Sequence, residues 1–235
     1  MGVAACGGSS GAGSTTMHVL AASSLTEAFT ELGAQFEAEH AGVKVVFDFA
    51  GSQDLVAQLE QGAPADVIAC ADTSTMSSVA DLVGEPSTFA ANTLAIVTAP
   101  GDPLRVRSLA DLADPDLKVV LADPAVPVGK YAEQVLRSAG VDVRPVSFEE
   151  SARGVVTKVS LGEADAGIVY ATDIRAAGDT VSGVTIPAAQ NITAVYPIAT
   201  VDASTQTDRA RDFVDLVLSA QGQKILTSFG FLAPE

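Results

Sequence analysis

The sequence is poor in positive charge and contains no tryptophan. Its 235 residues include 13 Lys and Arg against 29 Asp and Glu, which gives a formal net charge of -16 at pH 7. This excess of acid disfavours nucleic acids and anionic membrane surfaces as partners. It also repels anionic ligands at long range, so an anion site would have to be built locally from oriented N–H groups and hydroxyls.

Cysteine and histidine are nearly absent. The two cysteines, Cys6 and Cys70, and the two histidines, His18 and His40, show no spacing typical of a zinc or iron–sulfur site. We therefore expect no cofactor and no metal held directly by protein ligands. Cys70 lies in an apolar run, which predicts a buried and inert thiol. No apolar run reaches the ~20 residues that a membrane-spanning helix needs.

The motifs of common enzyme classes are missing as well. The sequence contains no P-loop, no dinucleotide-binding glycine fingerprint and no G-x-S-x-G nucleophile motif. Most carboxylates fall at predicted strand ends, turns and helix starts, where Asp and Glu commonly act as caps. We therefore expect a protein that is not an enzyme.

The N-terminal segment combines small residues, a cysteine and a Gly/Ser-rich stretch. Val3-Ala4-Ala5-Cys6 is followed by glycines, serines and one alanine up to position 14. Small residues before a cysteine, then a flexible spacer, resemble the cleavage box of a bacterial lipoprotein. This pattern predicts lipidation of Cys6, with residues 1–16 as a tether. The alternative is an ordinary tail with an incidental cysteine.

Beyond this segment, short apolar runs alternate with helical patterns, which indicates an α/β fold. The predicted strands are rich in Val, Ile and Ala on both faces, as in sheets covered by helices on both sides. They are His18–Ala22, Lys44–Ala50, Asp66–Ala71, Leu94–Ala99, Lys118–Ala122, Val143–Phe148, Ala166–Ala171 and Val195–Val201. The sequence Ser24-Leu25-Thr26-Glu27 predicts a capping box at the start of the first helix.

Small hydroxyl residues and glycines recur where predicted strands pass into helices. They occupy positions 22–24, 50–52, 126–129 and 151–154, and Tyr170 ends a further strand. A serine at a helix start is usually an N-cap that contributes about 1 kcal/mol. Ligands bind at the carboxyl ends of strands in open α/β sheets, so the repetition at this edge favours a shared binding site.

Across most of residues 17–232 the chain resembles the molybdate-binding proteins of bacterial ABC importers. The two most specific matches are the Gly-Ala-Pro-Ala-Asp run at 62–66 and the Val-Pro-x-Gly-x-Tyr-Ala run at 126–132. The other matching segments, in chain order, are Ala21-Ala22-Ser23-Ser24-Leu25-Thr26, Phe49-Ala50-Gly51-Ser52, Asp123-Pro124, Gly167-Ile168-Val169-Tyr170 and Val195-Tyr196-Pro197-Ile198.

The resemblance implies a two-lobed periplasmic-binding-protein fold of type II. Each lobe would be a mainly parallel sheet flanked by helices, with the ligand in the cleft between the lobes. Residues 17–97 and 199–235 would form lobe one, and residues 98–198 lobe two. The implied ligand contacts are the hydroxyls of Ser24, Ser52 and Tyr170 and the N–H groups of Val128 and Ala152.

The same resemblance implies molybdate or tungstate as the ligand and an ABC importer permease as the partner. It also places the protein outside the cytoplasm as a monomer. The pattern at Cys6 adds that it is a lipoprotein of the cell membrane, attached only through its lipid anchor.

A tetrahedral dianion only accepts hydrogen bonds, so its pocket should contain donors alone. A carboxylate in the pocket would instead favour a protonated anion such as hydrogen phosphate, so we expect Asp54 and Asp123 to point away from the ligand. Two alternatives stay open. The same clamp could carry sulfate, phosphate or a ferric complex, or the chain could be a lipid-anchored enzyme that uses the same cleft.

Overall fold

Nine strands and eight α-helices make up most of residues 15–234, which are the residues that the computed structural model describes. The strands are β1 Thr15–Ala22, β2 Val43–Ala50, β3 Val67–Ala69, β4 Ser87–Thr98, β5 Val119–Ala122, β6 Ser147–Glu149, β7 Ala166–Tyr170, β8 Ser182–Thr185 and β9 Thr193–Thr200. The helices are α1 Thr26–Glu39, α2 Ser52–Glu60, α3 Thr73–Ser77, α4 Pro127–Ala139, α5 Ala152–Ser160, α6 Ala171–Ala177, α7 Thr207–Leu218 and α8 Ala220–Ser228. The predicted lipidation site, Cys6, lies outside the described residues.

The strands form one mixed sheet in the order β2-β1-β3-β9-β4-β7-β5-β6, with β8 also paired to β4. At one end β1 runs parallel to β2 and β3, and at the other end β5 runs parallel to β6 and β7. Between these two parallel groups, β4 and β9 run antiparallel to their neighbours. Residues 87–93 of β4 pair with β9, whereas residues 94–98 pair with β7 and β8. These two strands therefore join the two parallel groups.

Each predicted strand overlaps an observed one, but the outlines differ. β4 begins at Ser87, seven residues before the predicted Leu94, because its first half contains Ser, Thr and Asn that weaken the apolar pattern. The short elements α3, α6 and β8 were not predicted. Thr15 and Thr16, which the predicted tether includes, lie in β1. The predicted lobe boundaries at 97/98 and 198/199 stay predictions.

Apolar helix faces cover the sheet as their spacing predicts. α1 buries Ala28, Phe29, Leu32 and Phe36, and the Phe29 ring lies 6.0 Å from that of Phe213 in α7, centroid to centroid. Helices α2, α4, α5 and α6 follow β2, β5, β6 and β7 directly or after a short loop. Several helix N-termini therefore lie at the carboxyl ends of parallel strands. Within residues 15–234, no helix has the length and apolar character needed to cross a membrane.

The predicted capping box at the first helix is wrong. Ser23–Leu25 form a 3-10 turn, α1 begins at Thr26, and no side-chain hydrogen bond caps either element. The hydroxyl of Ser24 instead lies 3.0 Å from the hydroxyl of Tyr196, and Glu27 forms an ion pair with Arg153. Both side chains make contacts with residues distant in sequence, which local spacing does not reveal.

Candidate functional site

The five predicted contact residues surround one small cavity at the carboxyl ends of the parallel strands. The space open to the centre of a water molecule is about 10 Å³, near the minimum for one bound water. The lining residues are Ala22, Ser23, Ser24, Ala50, Gly51, Ser52, Ala71, Val126, Pro127, Val128, Ala152 and Tyr170. Folding thus brings together Ser24, Ser52, Val128, Ala152 and Tyr170, and their contact with a ligand stays a prediction.

Among residues 15–234, no charged side chain belongs to the lining. Asp54 and Asp123 lie outside it, and each has a local partner; that they point away from the ligand stays a prediction. The Asp123 carboxylate accepts a hydrogen bond from Ala125 N at 2.8 Å, and the Asp54 carboxylate accepts one from Gln53 Nε2 at 3.0 Å. A small ligand in the cavity therefore meets hydroxyls, backbone groups and short apolar side chains.

Three α-helices begin at the cavity wall. Pro127 occupies the first turn of α4 and has no N–H, so Val128 carries the first donor of that helix. Ala152 carries the first donor of α5, and Ser52 that of α2. The first N–H groups of a helix have no acceptor within the helix, and they form the positive end of its dipole. The helix starts therefore supply donors and positive potential without a cation.

Two glycines allow this close assembly. A Cβ on Gly129 would lie 2.1 Å from the carbonyl oxygen of Asp123, so only glycine lets α4 begin this close to the end of β5. A Cβ on Gly51 would lie 2.6 Å from the carbonyl oxygen of Glu150. Gly51 is thus required where the start of α2 approaches the loop before α5.

Ser52 accepts one hydrogen bond and keeps a hydrogen that it can donate. The residue is 1% exposed, and its hydroxyl oxygen accepts a hydrogen bond from Ala71 N at 3.0 Å. A hydroxyl has one hydrogen to donate. The bond from Ala71 N occupies one of the two lone pairs, so the hydroxyl keeps its hydrogen and its second lone pair for other partners.

Tyr170 carries a buried hydroxyl without a partner. The residue is 2% exposed, and within residues 15–234 its Oη atom finds no hydrogen-bond partner. A buried polar group left in this state costs about 1–3 kcal/mol. Burial, reinforced by neighbouring Tyr196, raises the pKa of Tyr170 well above its ordinary value, so the hydroxyl keeps its proton. An uncompensated donor at a cavity wall indicates that an acceptor belongs there.

Comparison with known proteins assigns this architecture to a family. The profile of the family described as "Bacterial extracellular solute-binding protein" matches residues 17–232. The chain belongs to this family. It is 44% identical over 244 residues to the "Molybdate-binding protein ModA" of Mycobacterium tuberculosis, and the match covers 99% of this chain and 94% of that protein.

Solved structures confirm the expected fold of this solute-binding protein. The periplasmic molybdate-binding protein of Azotobacter vinelandii matches 93% of this chain and 100% of its own, with a TM-score of 0.80 at 21% identity. The sulfate-binding protein SubI of Mycobacterium tuberculosis matches 94% of this chain and 88% of its own, with a TM-score of 0.81 at 22% identity. Because both share the two-lobed α/β clamp, the fold alone does not select the oxyanion.

Two ion pairs that the sequence did not predict connect opposite sides of the cavity. Lys130 in α4 lies 2.9 Å from the carboxylate of Asp72, which follows β3, and it also contacts Ser74. Arg153 in α5 pairs with Glu27 and donates to the Ser23 carbonyl oxygen at 3.2 Å. Lys130 lies two positions after the predicted contact Val128, and Arg153 lies one position after the predicted contact Ala152. This closeness in sequence is the signal that could have identified them.

Asp72 is the most buried member of these pairs, with its side chain 3% exposed. Burial acts to raise its pKa, but hydrogen bonds from Thr75 and Lys130 outweigh that effect, and the pKa is lowered. Asp72 therefore stays ionised and needs the Lys130 ammonium as its partner.

Cys70 lies next to the cavity but outside its lining, and it is fully buried. Burial, reinforced by the nearby charge of Asp72, raises the pKa of the Cys70 thiol to about 12. A thiol in this state stays protonated at neutral pH and is a poor nucleophile. The prediction of a buried cysteine is confirmed.

A larger groove of about 500 Å³ lies between α4 and β6. Its lining includes Leu136, Val143 and the half-exposed Phe148. Of its three charged side chains, Glu133 and Arg137 pair with each other at the surface, and Asp142 is the third. The groove is mainly apolar and open to solvent, so the small cavity with its converging donors is the candidate site.

Proposed function

We propose that this solute-binding protein captures molybdate or tungstate outside the cytoplasm and delivers it to the permease of an ABC importer. The observation that carries the proposal is the buried Tyr170 hydroxyl, a protonated donor without a partner at the wall of an uncharged cavity. The 44% identical mycobacterial relative, named a molybdate-binding protein, supports the same ligand.

The proposed contacts are the hydroxyls of Ser24, Ser52 and Tyr170 and the N–H groups of Val128 and Ala152. Every one of them donates, and the four oxygens of a tetrahedral dianion only accept. A hydrogen bond to a charged acceptor contributes about 1.5–3 kcal/mol, and the helix N-termini add favourable potential. The proposal needs no cofactor, and the metal reaches the protein only inside its oxyanion.

Ligand binding would stabilise the closed arrangement of the two lobes. Ser24 and Ser52 follow β1 and β2 of one parallel group. In the other group, Val128 and Ala152 follow β5 and β6, and Tyr170 ends β7. An anion that bonds to both sets binds the closed state more tightly than the open one, and this difference shifts the population toward closure. The permease would recognise that closed state.

The proposal includes a lipid anchor at Cys6, through which the monomeric protein would be held at the outer face of the cell membrane. It is supported by the small residues before Cys6 and the Gly/Ser-rich stretch after it. The family description, an extracellular solute-binding protein, agrees with this location.

Sulfate is the main alternative, since it has the same charge and shape as molybdate and the fold is shared with a sulfate-binding protein. An enzyme in the same cleft is the second alternative. It would need a general base near Tyr170, but neither His18 nor His40 lines the cavity. We therefore propose binding without catalysis.

Thermal unfolding in the presence of molybdate, tungstate, sulfate or phosphate tests the proposal. A ligand at 100 times its dissociation constant stabilises the folded state by ~2.7 kcal/mol. Molybdate and tungstate should raise the melting temperature, and isothermal titration calorimetry should give their affinities, since the chain lacks tryptophan as a fluorescent reporter. A shift with sulfate alone would establish the sulfate alternative, and no shift with any anion would overturn the proposal.

A further inference from the structure

Asp72 is a buried carboxylate that adjoins the candidate anion site. It directly follows Ala71, which lines the cavity and whose N–H donates to the Ser52 hydroxyl. Burial acts to raise the pKa of Asp72, but its hydrogen bonds outweigh burial, so the group is ionised. Burial is also the main cause that raises the pKa of Tyr170 at the cavity wall, and the Asp72 charge adds to the rise. This charge would repel an anion in the cavity unless a cation compensated it.

The compensating cation is Lys130, which comes from the other side of the cavity. Asp72 follows β3 of one parallel group, whereas Lys130 is the fourth residue of α4, which follows β5 of the other. Lys130 Nζ lies 2.9 Å from the Asp72 carboxylate and also contacts Ser74. Val128, whose N–H is a proposed donor, lies two positions earlier in the same helix. The ion pair therefore connects the start of a donor helix to the end of β3.

We infer that Lys130 is a positioning residue of the anion site and that it acts on the anion only through Asp72. The inference rests on the proposed function. Neither side chain belongs to the cavity lining, so the ammonium does not touch a ligand there. It cancels the Asp72 charge beside the cavity and holds the Val128 N–H against the opposite parallel group. Loss of the ammonium alone would leave a buried carboxylate without its partner, which is strongly unfavourable.

The second ion pair across the cavity does not share this role. Arg153 pairs with Glu27, but the two side chains are 42% and 33% exposed, whereas the Asp72 side chain is 3% exposed. Water screens charges at the higher exposure, and such pairs contribute little. Glu27 can stay hydrated without its cation, and Asp72 cannot. The inference therefore concerns Lys130 and not Arg153.

A double-mutant cycle separates action through Asp72 from every other role of Lys130. Lys130→Met keeps the aliphatic stem and removes the charge, and we expect the dissociation constant for molybdate to rise at least about tenfold. Asp72→Asn removes the buried charge but keeps an oxygen that can cap α3 and accept from Lys130. Its dissociation constant should stay within about threefold of the wild-type value, because the half-exposed ammonium stays hydrated. The double variant should bind like Asp72→Asn, since no carboxylate is left to compensate.

Lys44→Met is the matched control. It makes the same chemical change and the same change in net charge, but Lys44 pairs with Glu37 at the surface and its side chain is 64% exposed. Its affinity for molybdate should equal that of the wild-type protein. A loss in Lys44→Met as large as in Lys130→Met would show that the overall charge of the protein governs binding, and it would overturn the inference.

Calorimetry at pH 7 with sodium molybdate gives the dissociation constant of each folded variant. Binding by the wild-type protein tests the proposed function first and separately. The inference is overturned if Lys130→Met keeps wild-type affinity, as a purely structural residue would. It is also overturned if Lys130→Met weakens binding equally with and without Asp72, as a direct effect on the anion would, or if Asp72→Asn binds as weakly as Lys130→Met.

The cycle stays decisive if Lys130→Met does not fold by itself. The double variant lacks the unpaired carboxylate, and its comparison with Asp72→Asn then carries the test. Equal affinities of these two variants support action through Asp72, and weaker binding by the double variant overturns it.

Discussion

Removal of the Tyr170 hydroxyl should weaken ligand binding without weakening the fold. Tyr170 is 2% exposed, and its Oη atom has no hydrogen-bond partner among residues 15–234. In the proposed complex this hydroxyl donates to a charged oxygen, a bond that contributes about 1.5–3 kcal/mol. Tyr170→Phe should therefore raise the dissociation constant for molybdate by roughly 10- to 150-fold.

The same substitution should leave the stability of the ligand-free protein unchanged or increase it. The hydroxyl makes no bond that phenylalanine would lose, and an unpaired buried hydroxyl costs about 1–3 kcal/mol. The phenyl ring keeps the packing against Tyr196, whose ring centroid lies 5.7 Å away. The free energy of unfolding without ligand should therefore stay constant or rise.

Calorimetry with molybdate and urea unfolding without it measure the two effects. Tyr131→Phe is the matched control, since Tyr131 is partly buried but lies outside the cavity lining. Its affinity for molybdate should match that of the wild-type protein. Wild-type affinity in Tyr170→Phe, or a loss of ligand-free stability comparable to the loss of binding energy, would refute the assignment of this hydroxyl to the ligand.

Three further substitutions probe the same region. Ser52→Ala should weaken molybdate binding at least about tenfold. It should also lower the free energy of unfolding without ligand by about 1–3 kcal/mol, measured in urea, because the buried N–H of Ala71 loses its acceptor. Lys130→Met should leave the Asp72 carboxylate without its cation in the closed state, and calorimetry should therefore show weaker molybdate binding. Arg137→Ala is the control, because it removes an exposed ion pair and should not change this affinity. Burial raises the pKa of Asp173 from 3.8 to about 7, so the folded state binds the extra proton and stability should fall as pH rises through this range. Asp173→Asn should flatten that slope between about pH 4 and pH 7, and an unchanged slope would contradict the assignment.

Much of the fold was predictable from the sequence. Apolar runs alternating with helical spacing located eight of the strands, and glycines marked helix ends, as at Gly140, where φ is +66°. The order of strands and helices then placed helix starts at strand ends. From this order, the resemblance to a known family identified five residues, far apart in the sequence, that line one cavity. These features depend on short-range periodicity and on the order of the strands and helices, and both can be inferred from the sequence.

Other features depend on contacts between distant residues, and only the tertiary structure decided them. Ser24 has the spacing of a helix cap, yet its hydroxyl bonds to Tyr196, 172 positions away. Lys130 and Asp72 are 58 positions apart, and Asn92 and Tyr196 are 104 apart. A local pattern offers a hydroxyl or a charge several possible partners, and the packed chain selects one. The sequence by itself determined which hydrogen-bonding groups follow the strand ends. The tertiary structure decided which of them line one cavity and which partners they have, because those contacts join residues far apart in the chain.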